Sequence, residues 1–421
     1  MNGKWKITAA LLVSTAALLM GVGPAGAGPD DGFYTAPNPL PTKANGALIR
    51  SQQVELFAGL GSALPVRATR ILFQSADARG VPVATSGIVL DPTTPWAGPG
   101  QRPLISYAIG THGTGDVCAP SKLLTDGVQV DGAGNPAAEL QTDLAQLVAT
   151  GYAVVVTDYQ GLGTEGGTTY VQPLPEAHAV LDAARAAIGL GVVPPSAPIG
   201  IWGFSQGGGS AAAAAEQAAG YAPELDVKGT VAAATPADPS VALTGAENGR
   251  GLTGVIGYFI NGLLTSHPEL TSTVTAMLSP AGIDFLHSTA NECVSGTVAR
   301  WAFRDTRDFT VTGQPIMTSL RADPAVRAVI DSFALGTIAP ADPVMLLQNI
   351  NDDAVPAGPA RQLSVDWCAK GADVIYHELD YPPLLPEIGL FGHSATILGA
   401  DVAMAWLADR LAGVPAQASC R

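Results

Sequence analysis

Residues 198–219, PIGIWGFSQGGGSAAAAAEQAA, constrain this chain more than any other stretch. A short apolar run reaches Gly203-Phe204-Ser205-Gln206-Gly207 and passes at once into an alanine-rich segment of strong helical propensity. Strand, sharp turn and helix in that order match a nucleophile elbow, in which a serine on a strained turn stands clear of a sheet edge. Ser205 is the candidate nucleophile, and Gly203 and Gly207 leave room for the chain to double back beside it. The helix that starts near Gln206 aims free N–H groups and its positive dipole end at the place where an oxyanion would form. A Gly-Ser turn without chemistry is the alternative, and the flanking strand and helix argue against it.

The rest of the chain supplies a sheet for this elbow. Residues 69–75 and 81–90 read as two strands joined by a short turn, an antiparallel start. Apolar runs follow at 103–110, 152–158, 199–203, 227–234 and 344–350, separated by helical patterns such as 139–150 and 175–188. That alternation predicts an α/β fold with a mostly parallel sheet and helices on both faces. Residues 28–66 are rich in Pro and Gly and read as an irregular arm with one helix at 51–57.

The rhythm breaks after Thr235-Pro236-Ala237. From 238 to 340 the pattern is helical without a convincing strand, which predicts a helical cap inserted between core parts 28–237 and 341–421. Leu252, Val255, Ile256, Phe259, Ile260, Leu263 and Leu264 make one apolar stripe at helical spacing. Such a stripe is more often core than channel wall, although its place after the elbow favours a channel. Gly251, Gly254, Gly257 and Gly262 give the same helix weak places where it could bend. Asp323-Pro324 starts a further helix expected to end at Gly336.

Residues 1–27 carry Lys4 and Lys6, an apolar run and then Ala25-Gly26-Ala27, the pattern of a secretory signal peptide. The run is short of the roughly 20 apolar residues of a membrane span, and no later stretch reaches that length. Cleavage there leaves 19 basic against 36 acidic residues, a net charge of −17. That charge argues against nucleic acid and anionic membrane surfaces as partners. Cys118, Cys293, Cys368 and Cys420 are an even set in an exported chain, which favours two disulfides and allows three pairings. Their wide spacing and the scattered histidines offer no metal site, and no cofactor motif is present.

An elbow serine needs an imidazole to take its proton and a carboxylate to orient that imidazole, in the chain order Ser, acid, His. Of six histidines only His377 and His393 lie beyond the last strand-end acid. His377 sits in an alternating strand at 374–381, whereas His393 lies in a Gly-rich loop before the C-terminal helix, so His393 is the candidate base. The run 344–350 ends in Asn351-Asp352-Asp353. Asp352 comes first off the strand and is the candidate acid, with Asp353 expected to cap the helix beginning near Ala357. Asp158 precedes the serine and reads as a structural carboxylate. An oxyanion hole would take one N–H from Gln206 and a second from the loop Thr111-His112-Gly113, with the donor among those three left open.

Together the elbow GFSQGG, the strand end SYAIGTHGTGDVCAPS, the stretch DYQGLG, the run NINDDAVP followed by WCAKGA, and the loop GHS resemble a known family. They are similar to the secretory lipases related to Candida antarctica lipase A, which have the α/β-hydrolase fold. The resemblance spans nearly all of the chain after the signal. It implies a triad of Ser205, Asp352 and His393, disulfides Cys118–Cys293 and Cys368–Cys420, and hydrolysis of acyl esters beneath a helical cap. The chain departs from that yeast enzyme in the oxyanion loop, where Thr-His-Gly replaces an acidic residue. A secreted carboxylic-ester hydrolase acting on lipid or other acyl esters is the leading expectation. A serine peptidase would need a carboxylate pair in the cap, for which Glu247, Glu269 and Asp284 are present but scattered. A non-catalytic binding protein would have no use for an ordered triad.

Overall fold

The computed structural model describes residues 32–57, 65–139, 142–247, 251–383, 391–417 and 420. The expected signal peptide lies outside them. Eleven strands are present among these residues: β1 Leu48–Val54, β2 Val66–Ala76, β3 Pro82–Pro92, β4 Leu104–Ala108, β5 Gln129–Val130, β6 Pro136–Ala137, β7 Ala153–Gln160, β8 Ile199–Phe204, β9 Val227–Ala233, β10 Val344–Asn349 and β11 Val374–Leu379. β5 and β6 form a small hairpin, and the other nine make one sheet in the order β1-β2-β3-β7-β4-β8-β9-β10-β11. The first three are antiparallel to their neighbours. The six from β7 to β11 are mutually parallel, so β8, which carries the elbow, is central. β4, β7 and β10 are buried along most of their length, as strands covered on both faces must be.

The cover comes from helices that follow the strands: α1 Pro173–Gly189, α2 Gln206–Tyr221, α3 Pro239–Ala246, α4 Val255–Ser266, α5 Pro280–Thr289, α6 Val294–Trp301, α7 Pro324–Asp331, α8 Ala357–Ala369 and α9 Ala400–Leu411. Alternation along β4 separates the two faces. Ser106 donates to the Val180 carbonyl of α1, while on the other side Ile105 and Leu407 of α9 both close on Gly200, where a Cβ would lie 3.0 and 3.1 Å from them. α2 joins α1 on the first face and holds α8 there through Glu216, which accepts from Trp367 Nε1 at 2.8 Å. α2 can lie close to the sheet because its first three turns are built mainly from alanine and glycine, most of them buried.

Between β9 and β10 the helices α3 to α7 bury their own apolar cluster, centred on Ile256, Phe259, Ile260, Phe285 and Phe309. Of the four glycines expected in this helix, Gly251 and Gly254 precede α4, and Gly257 and Gly262 lie where it packs closely. A Cβ on Gly257 would run into Thr289 of α5, and one on Gly262 would lie 2.9 Å from the Tyr170 backbone nitrogen. Those two glycines permit close approach of α4 to its neighbours.

Two local expectations are also corrected. Residues 51–57 do not form a helix: β1 pairs antiparallel with β2 through Val54, because a ready sheet edge outweighs weak local preference. The helix from Pro324 ends at Asp331, before Gly336, since Ser332 Oγ bonds the Val329 carbonyl at 2.6 Å and Leu335 N–H is drawn to the Ala237 carbonyl.

Candidate active site

Ser205 stands between β8 and α2 with φ +62° and ψ −123°, a left-handed backbone that an L side chain adopts only under strain. The surrounding glycines make the turn. A Cβ on Gly203 would collide with the Gly207 carbonyl, and one on Gly207 with the Ala108 carbonyl of β4. The Ser205 N–H donates to the Ala233 carbonyl at 2.9 Å, which ties the elbow to the neighbouring strand.

His393 lies in the short turn Phe391–Ser394, and its Nε2 is 2.8 Å from Ser205 Oγ. Its Nδ1 is 2.9 Å from Asp352 Oδ2. With Asp352 accepting from Nδ1–H, Nε2 carries the lone pair and faces the serine hydroxyl. Burial works to lower the affinity of this imidazole for a proton, but the charge and hydrogen bond of Asp352 outweigh it, and its pKa is raised. Asp352 is itself fixed: its Oδ1 accepts from the Ala354 N–H at 3.0 Å and the Val355 N–H at 2.7 Å.

Asp353 has a different place from the one expected. The helix N-cap is Pro356 without a side-chain cap, and Asp353 Oδ1 accepts from the His393 backbone N–H at 3.0 Å. Asn349, at the end of β10, donates to the Gly392 carbonyl at 2.7 Å and to the Tyr381 carbonyl at 3.0 Å. One strand end therefore holds both the acid and the loop that carries the imidazole. Asp158 is fully buried and accepts from Ser86 and Ser121, away from Ser205.

Gln206 is the first residue of α2, where an N–H has no partner within the helix, and it borders a cavity of about 270 Å3 in front of Ser205. Gly110 and Thr111 reach the same cavity, with Thr111 Oγ1 3.0 Å from the Tyr170 hydroxyl. His112 turns away. Its Nδ1 is 2.8 Å from the Gly110 carbonyl and its Nε2 2.7 Å from Glu139, in a buried pair. Burial lowers its proton affinity, yet Glu139 raises it further and the net shift is upward. Gly113 makes an antiparallel bridge to Cys293, beside the Cys118–Cys293 disulfide. Cys368–Cys420 is the second disulfide, so the pairing implied by the family resemblance is present.

One wall of the cavity comes from α3 and from the segment that leads into α4, through Ala242, Leu243, Ala246, Leu252 and Val255. Phe259 and Leu263, deeper in the stripe, have no exposed surface and pack among the helices. Tyr170 and Val171 also line the cavity, and sequence reasoning missed them. Nothing local marks Val171, a β-branched residue at φ +50° whose position is set by its partners. Among the described residues no carboxylate lines this cavity, and no group of three or more His, Cys, Asp or Glu side chains could hold a metal ion.

Residues 136–419 match the family model of the secretory lipases. The chain belongs to the secretory lipase family. A Mycobacterium tuberculosis protein named a probable inactive lipase is 32% identical over 92% of this chain and 83% of its own length. A secreted triacylglycerol lipase of Malassezia globosa is 26% identical over 93% and 83%. Among solved structures, Candida antarctica lipase A in its closed state matches with a TM-score of 0.79 at 23% identity, over 93% of this chain and 88% of that one. The cell-wall-degrading esterase LipA of Xanthomonas oryzae matches with a TM-score of 0.68 at 19% identity, over 88% and 99%. These likenesses show the shared α/β-hydrolase fold, and this secretory lipase is a carboxylic-ester hydrolase. No helix among the described residues is long and apolar enough to cross a membrane.

Proposed function

We propose that this lipase hydrolyses acyl esters, triacylglycerols among them, by a Ser205-centred acyl-enzyme route. The observation that carries the reading is the unbroken line from Ser205 Oγ through the His393 ring to Asp352, at 2.8 and 2.9 Å. His393 takes the Ser205 proton as the oxygen attacks the ester carbonyl, then returns it to the departing alcohol. Water repeats the cycle on the acyl-enzyme. Asp352 holds the ring tautomer and stabilises the imidazolium without taking the proton. The backbone N–H groups of Gln206 and Thr111 stabilise the oxyanion, and the cavity takes the acyl chain.

Residues 238–340 act as a cap over Ser205, and residues 1–27 as an export signal removed before the mature chain starts at Gly28. One relative bears a name that marks it as probably inactive; the intact line of three side chains supports an active enzyme here. A peptidase reading finds no support, because Glu247 instead accepts from the Met317 N–H and Glu269 lies beside His267.

The test is hydrolysis of emulsified triacylglycerol and of soluble nitrophenyl esters by wild type and Ser205→Ala, with mass spectrometry of the peptide labelled by a fluorophosphonate. Label on Ser205 and loss of both activities in the variant are expected. Label elsewhere, or a fully active variant, would sink the reading.

A further inference from the structure

Glu176, in the first turn of α1, is buried behind the elbow and belongs to none of the steps above. Its Oε1 accepts from the Gln206 side-chain Nε2–H at 2.7 Å and from the Val171 backbone N–H at 2.9 Å. Its Oε2 is 2.6 Å from Ser210 Oγ. Gln206 is the first proposed oxyanion donor. Val171 follows Tyr170, whose hydroxyl bonds the side chain of Thr111, the second proposed donor. One carboxyl group thus connects the two sides of the oxyanion position, and it also holds Val171 at φ +50°, a backbone conformation that a β-branched residue rarely adopts.

Ser210 Oγ is 3.0 Å from the Gln206 carbonyl, which can only accept. The hydroxyl has one proton for that carbonyl and for Oε2: an ionised Glu176 accepts it, whereas a neutral Glu176 donates its own acid proton to the Ser210 oxygen and leaves the serine proton for the carbonyl. Among the described residues no cation makes an ion pair with this carboxyl to favour the ionised form.

We propose that Glu176 is a positioning residue for acyl transfer: as a neutral carboxylic acid it sets the spacing of the two oxyanion donors without placing a charge behind them. The proposal rests on Ser205 as nucleophile. Burial, against three hydrogen bonds that favour the carboxylate, pushes the Glu176 pKa up to about 8, which keeps the acid form dominant at neutral pH. The titratable groups facing it are Tyr159 at the end of β7 and Tyr170 in the cavity wall, both pushed upward by burial. α2 presents Gln206 and Ser210, and the segments at Pro236, Pro239 and Leu335 present apolar side chains. Above pH 8 a carboxylate would form beside the growing oxyanion and oppose it.

The experiment measures kcat per serine titratable by a fluorophosphonate, from pH 6 to pH 10, on a soluble nitrophenyl ester. Wild type should lose rate as pH rises through the Glu176 pKa. Glu176→Gln copies the neutral acid, since its amide can donate to Ser210 and its oxygen can accept from Gln206 and Val171. It should keep neutral-pH kcat and lack the alkaline fall. Glu176→Ala should lose kcat by about 10- to 100-fold with a smaller change in KM, as misplaced groups do. An alkaline limb unchanged in Glu176→Gln, a wild-type profile flat to pH 10, or full kcat in Glu176→Ala would overturn the proposal. Ser205→Ala is run beside them: activity there defeats the nucleophile reading, whereas the Glu176 outcomes judge only the positioning role.

Discussion

His393 meets Asp352 across 41 positions of sequence and Ser205 across 188, yet each contact is a single well-formed hydrogen bond. Ser205→Ala and His393→Ala are each predicted to lower kcat on the order of 10^4-fold or more, with Asp352→Asn costing somewhat less. Asp353→Asn should cost far less than Asp352→Asn, because an amide oxygen can still accept from the His393 backbone; the reverse order in kcat would move the acid to Asp353. The imidazole must be neutral to accept the Ser205 proton, and its pKa is raised, so activity is full above that pKa and lost as pH falls through it. A kcat/KM profile should therefore show an acid limb above the ordinary histidine range. Asp352→Asn removes the carboxylate that raises the pKa, and its residual activity should carry this limb at lower pH. A limb in the same place would assign it to another group.

Single elements divide the apolar stripe of 252–264 into two parts. Leu252 and Val255 border the cavity, whereas Phe259 and Leu263 are core. Replacing Phe259 or Leu263 by Ala is predicted to cost about 3 to 5 and 2 to 5 kcal/mol respectively, lowering Tm and all ester activities together. Leu252→Ala and Val255→Ala should instead change the ratio of kcat/KM on long and short acyl esters with a smaller drop in Tm. Equal ratios in all four variants would show that the acyl chain lies elsewhere. Helical periodicity found these apolar positions but could not divide them: α4 begins only at Val255, so Leu252 precedes it and borders the cavity with Val255, while the following turns pack against α5. β1 is the opposite case, where local composition misled and the partner strand decided.

Across the fold, the two disulfides tie distant parts of the chain to the site. Cys118–Cys293 joins the loop after β4 to the residue that precedes α6, so it fastens the helical segment to the wall holding Thr111. Cys368–Cys420 joins α8 to the chain end beyond α9, closing a loop of 53 residues that contains His393. In the chain-entropy model such links are worth about 5 and about 4 kcal/mol. Cys368→Ala with Cys420→Ala is predicted to lower Tm and to lower activity through the loop of His393. Cys118→Ala with Cys293→Ala should lower Tm and alter chain-length preference through the cavity wall. Thermal melts of both pairs beside the ester series check this, and an unchanged ester ratio in the Cys118 pair would separate the anchor from the acyl wall.

Much of this was legible along the chain because the determining interactions are local or periodic. The elbow at Ser205 reads from glycines four apart, since only there can backbone pass so close, and the parallel strands read from their unbroken apolar runs. Asp352 and His393 could be chosen by their order after the serine and their places at a strand end and in a loop. The partners of buried polar groups were not legible. Asp353 was assigned to a helix cap and holds the His393 backbone; His112 was a candidate donor and pairs with Glu139; Glu176 carried no motif and lies behind the elbow. A buried donor or acceptor must find a partner wherever packing brings one, and that choice is made by tertiary contacts across tens to hundreds of residues.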